Sequence, residues 1–254
     1  MTTFSYNIEC LEIAASSFEV VSRIGSGSQG ATYVVKYQGR PACAKVFNQE
    51  KEMVQEVLML NAAKSSLCSP NLFGVCTSLR LVIMELAPGT NLHYFLGTRP
   101  CRVSVHRVMV ALGQAIERIH FAGIIHNDLK FDNIMVSENY ENPRITLVDF
   151  AWATFKRCVP YPHINPAEIE NFPHVSPRLA SGGECDSNTD NYSFGVLLQT
   201  IADSYKCPLF AVLARMLTQH GGIMYSLQSL LQYIRDDYCY SCQHSCPCPN
   251  CIKF

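Results

Sequence analysis

The chain has 254 residues, 48% apolar and 16% charged, which supplies a sizeable core and excludes a disordered, highly charged polymer. Its net charge of −1 gives no electrostatic basis for binding nucleic acid or an acidic membrane surface. No basic, apolar leader opens it and no apolar run is long enough to cross a bilayer, so an intracellular, cytoplasmic location is expected.

Thirteen cysteines are present. Eight are scattered from Cys10 to Cys207, mostly in apolar surroundings, and read as reduced thiols. The other five crowd the last sixteen residues.

Residues 1–17 carry no clear motif, although Ile8, Leu11, Ile13 and Ala14 suit a short packing segment. From Phe18 two runs of β-branched and aromatic residues flank a glycine-rich turn, Gly25-x-Gly27-x-x-Gly30. Dinucleotide-binding proteins share that spacing but follow it with a helix, whereas Thr32-Tyr33-Val34-Val35 are strand formers. Gln38-Gly39-Arg40 then marks a hairpin into a third strand ending at Lys45. Glycines without side chains let backbone N–H groups approach phosphate.

Glu50–Ala63 has helical spacing in Met53, Val57 and Leu60 and in Val54 and Leu58, with Glu52 and Glu56 one turn apart on one face. Ser69-Pro70-Asn71 reads as a turn, Leu79–Leu86 as an apolar strand leading into Ala87-Pro88-Gly89, and Val103–Ala122 as a long helix.

The stretch from Gly123 to Ala151 holds two short apolar strands, Ile134–Val136 and Ile145–Val148, joined by a polar connection. His126, Asp128, Lys130 and Asn133 fall within eight residues before the first strand ends, and Asp149-Phe150 follow the second. An Asp that takes a proton, an Asn and an Asp that hold a divalent metal, and a Lys that meets phosphate together suggest phosphoryl transfer.

His126-Asn-Asp-Leu-Lys-Phe-Asp-Asn133 resembles the catalytic loop of eukaryotic-type protein kinases, His-Arg-Asp-Leu-Lys-x-x-Asn, and Asp149-Phe150-Ala151 resembles Asp-Phe-Gly. The resemblance covers roughly Phe18 to Arg235, and the chain looks like a divergent, viral or lineage-specific member. It implies an α+β, two-lobed fold: an extension over 1–17, a β-rich N-lobe over 18–86, an abbreviated helical C-lobe over 87–237 and a cysteine-rich tail over 238–254.

The resemblance also implies roles. Asp128 would be the catalytic base and Lys130 would steady the transferred phosphoryl group, the Lys favouring Ser/Thr over Tyr as acceptor. Lys45 would meet the α- and β-phosphates, held by Glu56 in preference to Glu52, which reads as a solvated helix carboxylate. Asn133 and Asp149 would hold Mg²⁺ or Mn²⁺, and ATP would lie against Ile24, Gly25, Gly27, Gly30, Thr32 and Cys43. Met84 would be the gatekeeper, Glu85 to Ala87 the hinge offering backbone groups to adenine, and Met135 the floor. His126 reads as a packing residue near Phe150.

Several departures from the pattern carry meaning. Thr32 and Cys43 stand where Val and Ala usually roof the adenine. Asn127 replaces the Arg that pairs with an activation-segment phosphate, so turnover is expected not to depend on that modification. Ala151 replaces Gly, which removes backbone freedom after the metal-binding Asp. Val175-Ser176-Pro177-Arg178 sits where Ala-Pro-Glu is usual, and the Arg partner of that Glu is missing from Gln219–Ser226, a paired loss that leaves no lone charge. Asp190–Leu198 matches the central C-lobe helix. Only Lys206-Cys207-Pro208 separates it from the next helical run, Leu209–Gln219, and Tyr225–Arg235 reads as the last helix.

The tail holds Cys239-x-x-Cys242, His244, Cys246 and Cys248-x-x-Cys251. Three readings stand: a zinc site, prenylation of Cys251 with palmitoylation of Cys246 or Cys248, or a run of free thiols. Membrane association is expected only through such a lipid; the expected partner is a protein substrate. The competing functions are a pseudokinase scaffold or decoy, and a small-molecule kinase of the aminoglycoside phosphotransferase type.

Overall fold

The computed structural model describes residues 11–161, 166–219 and 227–242. Five antiparallel strands form the upper part: β1 (Phe18–Gly27), β2 (Gly30–Tyr37), β3 (Arg40–Phe47), β4 (Leu72–Cys76) and β5 (Leu81–Glu85), in the order β1-β2-β3-β5-β4. One helix, α1 (Glu50–Ala63), lies between β3 and β4 with the bounds its apolar spacing predicts.

Strand alternation sorts the sheet into two faces. Val35, Tyr37, Ala42, Ala44, Leu81 and Ile83 form a small core with Ile13 on one side. On the other side Phe47, Val82 and Met84 join the main core with Met53, Val57 and Leu60 of α1. The expected N-terminal packing segment is realised by Ile13, buried and bonded through its N–H to Val75 O at 2.6 Å, while Leu11 is exposed. Ile8 lies outside the described residues.

The lower part is mainly helical. After β6 (Thr90–Asn91) come α2 (Leu92–Gly97) and α3 (Arg102–Phe121), then the short strands β7 (Ile124–Ile125), β8 (Ile134–Val136), β9 (Ile145–Leu147) and β10 (Thr154–Phe155). The chain closes with α4 (Pro177–Ala180), α5 (Ser187–Tyr205), α6 (Pro208–Gln219) and α7 (Leu227–Cys242). Met109, Leu112 and Ile116 of α3 pack with Phe194, Leu198 and Ile201 of α5 in one core. Gly195 lets α6 approach, since a Cβ there would stand 2.8 Å from that of Leu217.

The short connection between α5 and α6 is real. Lys206 takes a left-handed conformation (φ 52°) that ends α5, and Cys207 N–H returns to Ala202 O at 3.1 Å. Arg102 covers the same helix end, donating to Tyr205 O at 2.8 Å. The last helix runs to Cys242 instead of stopping at Arg235, so helical backbone carries on past the buried Ile234. The proposed zinc and lipid chemistry of His244, Cys246, Cys248 and Cys251 falls outside the described residues. Among the described residues no helix is long and apolar enough to cross a membrane.

Candidate active site

The glycine-rich turn is a hairpin, β1 to β2, closed by Ser28 and Gln29. Asn48 pins its tip from behind, donating Nδ2–H to Ser28 O at 2.8 Å and its backbone N–H to Gln29 O at 2.9 Å. Gly30 is obligatory: its φ is +147°, and a Cβ would collide with the Val46 carbonyl. Gly25 and Gly27 instead face open space, leaving room for a phosphate chain to approach the backbone. Ile24 beside them is exposed.

Register puts the roof residues together. Thr32 pairs with Lys45, Val34 with Cys43 and Cys43 with Met84, so Thr32, Cys43, Lys45 and Met84 share one face of the sheet. Burial pushes the Cys43 thiol up to about 11, with Glu56 adding to the shift and Lys45 opposing it. Cys43 is therefore a neutral, apolar-behaving roof residue. At the hinge, Glu85 N–H is committed to Asn71 O at 2.8 Å, and Glu85 Oε2 accepts from Asn71 Nδ2 at 2.6 Å. The Glu85 N–H thus drops out of the groups offered to adenine. Met84 is buried, while Ala87 and Met135 are half-buried.

Lys45 reaches two carboxylates. Its Nζ lies 2.8 Å from Glu56 Oε2 and 2.7 Å from Asp149 Oδ1. Burial alone would lower the lysine's affinity for its proton, but the two carboxylates outweigh it and hold the ammonium charged well above the usual lysine range. Glu56 is fully buried. Its other oxygen accepts the Phe150 backbone N–H at 3.2 Å, which ties α1 to the Asp149-Phe150 turn. Glu52 caps the helix, accepting the Gln49 backbone N–H at 3.2 Å. Gln55 on the same helix donates to Ala153 O at 2.5 Å, a second tie to the segment beyond Phe150.

Asp128 is the centre of the lower half. Lys130 Nζ donates to its Oδ2 at 2.8 Å, and Asn133 Nδ2 donates to the same oxygen and to the Asp128 carbonyl, both at 2.8 Å. His174 Nε2–H donates to Oδ1 at 2.8 Å. Burial pushes the Asp128 carboxyl up, but the His174 hydrogen bond and the charge and hydrogen bond of Lys130 bring it down to about 2.

Asn133 and Asp149 suit a hard divalent cation. Both of Asn133's side-chain bonds use Nδ2, so the loop does not consume its carbonyl oxygen. Asp149 gives only Oδ1 to Lys45, and it is held at φ +65° with its side chain 34% exposed. Two oxygen donors beside a phosphate path fit a small cation that takes few protein ligands.

The loop itself hangs from α5. Asp190, fully buried, accepts the backbone N–H groups of His126 and Asn127 at 2.8 Å each and His120 Nε2 at 2.9 Å. His126 packs its ring 5.0 Å from that of Phe150, the place the resemblance implied for it, and contacts Val148 O at 3.1 Å.

Asn127 spends its amide on structure. Nδ2 donates to Trp152 O and Thr154 Oγ1, both at 3.0 Å, which fastens the loop directly to β10. Tyr161 adds a bond from its hydroxyl to Asn127 O at 2.6 Å. Arg178 reaches Asp186 at 2.7 Å on the surface, so the residue in place of the usual Glu has a partner of its own. Sequence reasoning singled out neither Asp190 as an anchor nor His174 at all. Asp190 carried a signal, its place at the head of the stretch that resembles the family's central C-lobe helix; His174, separated from Asp128 by 46 positions, carried none.

A β-sheet lobe with a glycine hairpin, a helical lobe with an Asp-centred loop and a lysine joining them define the two-lobed phosphotransferase class. The family described as Protein kinase domain matches residues 18–232, and the chain belongs to that family. It is similar to a G-type lectin S-receptor-like serine/threonine-protein kinase of Arabidopsis thaliana, 25% identical over 224 residues, covering 82% of this chain and 27% of that protein. It is also similar to the serine/threonine-protein kinase Pkn1 of Myxococcus xanthus, 27% identical over 73% of this chain and 28% of that protein. A third relative, the serine/threonine-protein kinase CDG1 of Arabidopsis thaliana, is 29% identical over 80% of this chain and 50% of its own length. The chain thus spans about a quarter to a half of the lengths of these relatives.

Proposed function

We propose that this chain is an active, ATP-dependent protein kinase that phosphorylates Ser or Thr hydroxyls of protein substrates. The observations that support it most are Lys45 Nζ within 2.8 Å of both the Glu56 and the Asp149 carboxylates, and an Asp128 that Lys130 and Asn133 both reach. Lys45, Glu56 and Asp128 are buried without being needed to fill a core, and burying such charges is costly unless they serve a purpose.

In this reading Lys45 neutralises phosphate charge, and the open backbone at Gly25 and Gly27 lies over the phosphates. Asn133 and Asp149 would hold Mg²⁺ or Mn²⁺, which would supply positive charge to offset that developing on the phosphates. Asp128 orients the acceptor hydroxyl and takes its proton. The oxygen–phosphorus bond forms as the γ-phosphorus leaves the bridging oxygen of ADP, with Lys130 steadying the phosphoryl group. The serine/threonine names of the relatives support the acceptor class.

Incubating the full chain with γ-labelled ATP, Mg²⁺ and dephosphorylated casein tests this. Labelled phosphoserine and phosphothreonine are expected; label on tyrosine alone, or none, contradicts it. The scaffold alternative draws on one observation, the His174 ring already seated on Asp128.

A further inference from the structure

Asp128 has two carboxylate oxygens, and both are engaged. Oδ2 takes Lys130 and Asn133 at 2.8 Å each, the two groups that position it from within its own loop. Oδ1 takes His174, which comes from the segment leading into α4. The contact is well sheltered, with the His174 and Asp128 side chains 12% and 7% exposed. A carboxylate at this pH only accepts, so the imidazole nitrogen facing it carries a proton.

The backbone behind His174 is fixed. Ser193 on α5 donates its hydroxyl to His174 O at 2.6 Å, and the next residue, Val175, is buried with Tyr161 and Leu179. The ring is therefore held at Asp128 by a rigid floor, and its side-chain torsions are the parts left to turn. No hydrogen bond from another described residue to the His174 ring accompanies the one to Asp128.

An acceptor hydroxyl must bring its own O–H to this carboxylate within hydrogen-bond reach. With Oδ2 shared by two donors, Oδ1 is the oxygen left for it, and the imidazole stands there. We propose that His174 is a gate on Asp128: its ring holds the place of the acceptor hydroxyl, and productive binding of a protein substrate displaces it. This rests on the kinase reading above and adds a positioning residue to it. His174 neither bonds the phosphates nor takes the proton; it acts through Asp128.

The gate predicts a particular kinetic pattern. Its hydrogen bond to a charged group has to be given up when the acceptor binds, which is worth about tenfold in equilibrium. The full chain is assayed for label transfer from ATP to dephosphorylated casein as wild type, His174→Phe, His174→Ala and His174→Gln, each checked for a wild-type thermal unfolding transition. His174→Phe and His174→Ala are expected to raise kcat/KM for casein by about tenfold, mostly through KM, with KM for ATP unchanged. His174→Gln keeps an N–H donor and is expected to stay near wild type.

A purely structural His174 would give the opposite, lower kcat and a shifted KM for ATP in both truncations, and would overturn the gate. Unchanged kinetics would also overturn it, because the contact would then restrain nothing. No transfer by any of the four proteins overturns the kinase reading and the gate with it; transfer that His174→Phe and His174→Ala fail to raise overturns the gate alone. Nitrogen NMR of wild type provides a measurement that needs no variant. The His174 Nε2–H signal, hydrogen-bonded in the free chain, should shift to that of an unbonded imidazole when a casein-derived serine peptide saturates the protein, and its persistence would overturn the proposal.

Discussion

Lys45 of β3 and Glu56 of α1 form a buried ion pair, 2.8 Å between Nζ and Oε2, that fixes helix to sheet and aims the ammonium at Asp149. Pairs of this kind contribute little net energy when intact, because desolvation opposes the attraction, but breaking one side strands a charge.

Lys45→Met should therefore cost about 3 kcal/mol, since Glu56 is left fully buried with only the Phe150 N–H to answer it. Lys45→Met combined with Glu56→Leu should recover most of that loss. Urea unfolding of the single and double variants checks this; a double variant no more stable than Lys45→Met would show that Glu56 is not paired as described.

Asn127 replaces a phosphate-dependent arginine with a direct tie. Its amide already fastens the catalytic loop to Trp152 and Thr154, so no added charge is required to hold that end of the segment in place. Phosphatase treatment of the purified protein should leave its rate unchanged. Asn127→Ala should destabilise it by about 2 kcal/mol, through unpaired acceptors and a side chain poorly suited to the left-handed backbone there (φ 64°). A rate abolished by phosphatase would contradict the argument.

Acid stability should report on Asp128. Its carboxyl is depressed from 3.8 to about 2 in the folded chain, so its contribution is fully present above the unfolded value and is lost as pH falls through the folded one. At order of magnitude the contribution is about 2 kcal/mol. Chemical unfolding between about pH 4 and pH 2 should show wild type losing that much more than Asp128→Asn. Equal losses would mean that Asp128 is not held by His174 and Lys130 in solution.

Local patterns made much of this molecule legible in its sequence. The bounds of α1, the glycine hairpin, the short β8 and β9 strands and the abrupt α5–α6 connection all follow from spacing, turn residues and strand formers over a few positions. Glu56 was preferred to Glu52 because Glu56-Val-Leu-Met-Leu60 resembles the family's Glu followed by apolar residues; in the structure Glu56 pairs with Lys45 and Glu52 caps the helix start.

What stayed hidden depends on distant partners. Whether Thr32 and Cys43 form a polar or an apolar roof turns on burial, which raises the Cys43 thiol and makes it behave as a hydrophobe. Arg178 acquired Asp186 instead of losing a function, a surface pairing that no motif encodes. His174 joins Asp128 from another segment altogether, and an isolated histidine in a loop gives no periodic or capping signal. The length of α7 past Ile234 was missed for the opposite reason: a run of polar residues and cysteines gave no apolar stripe to follow.

The central claim is that Asp128 takes part in phosphoryl transfer, and comparing wild type with Asp128→Ala tests it most directly. Label transfer from γ-labelled ATP to casein, in Mg²⁺ and with folding of both proteins verified, should fall by about 10²- to 10⁴-fold in the variant while ATP binding is retained. Transfer persisting at the wild-type rate in Asp128→Ala would contradict the account.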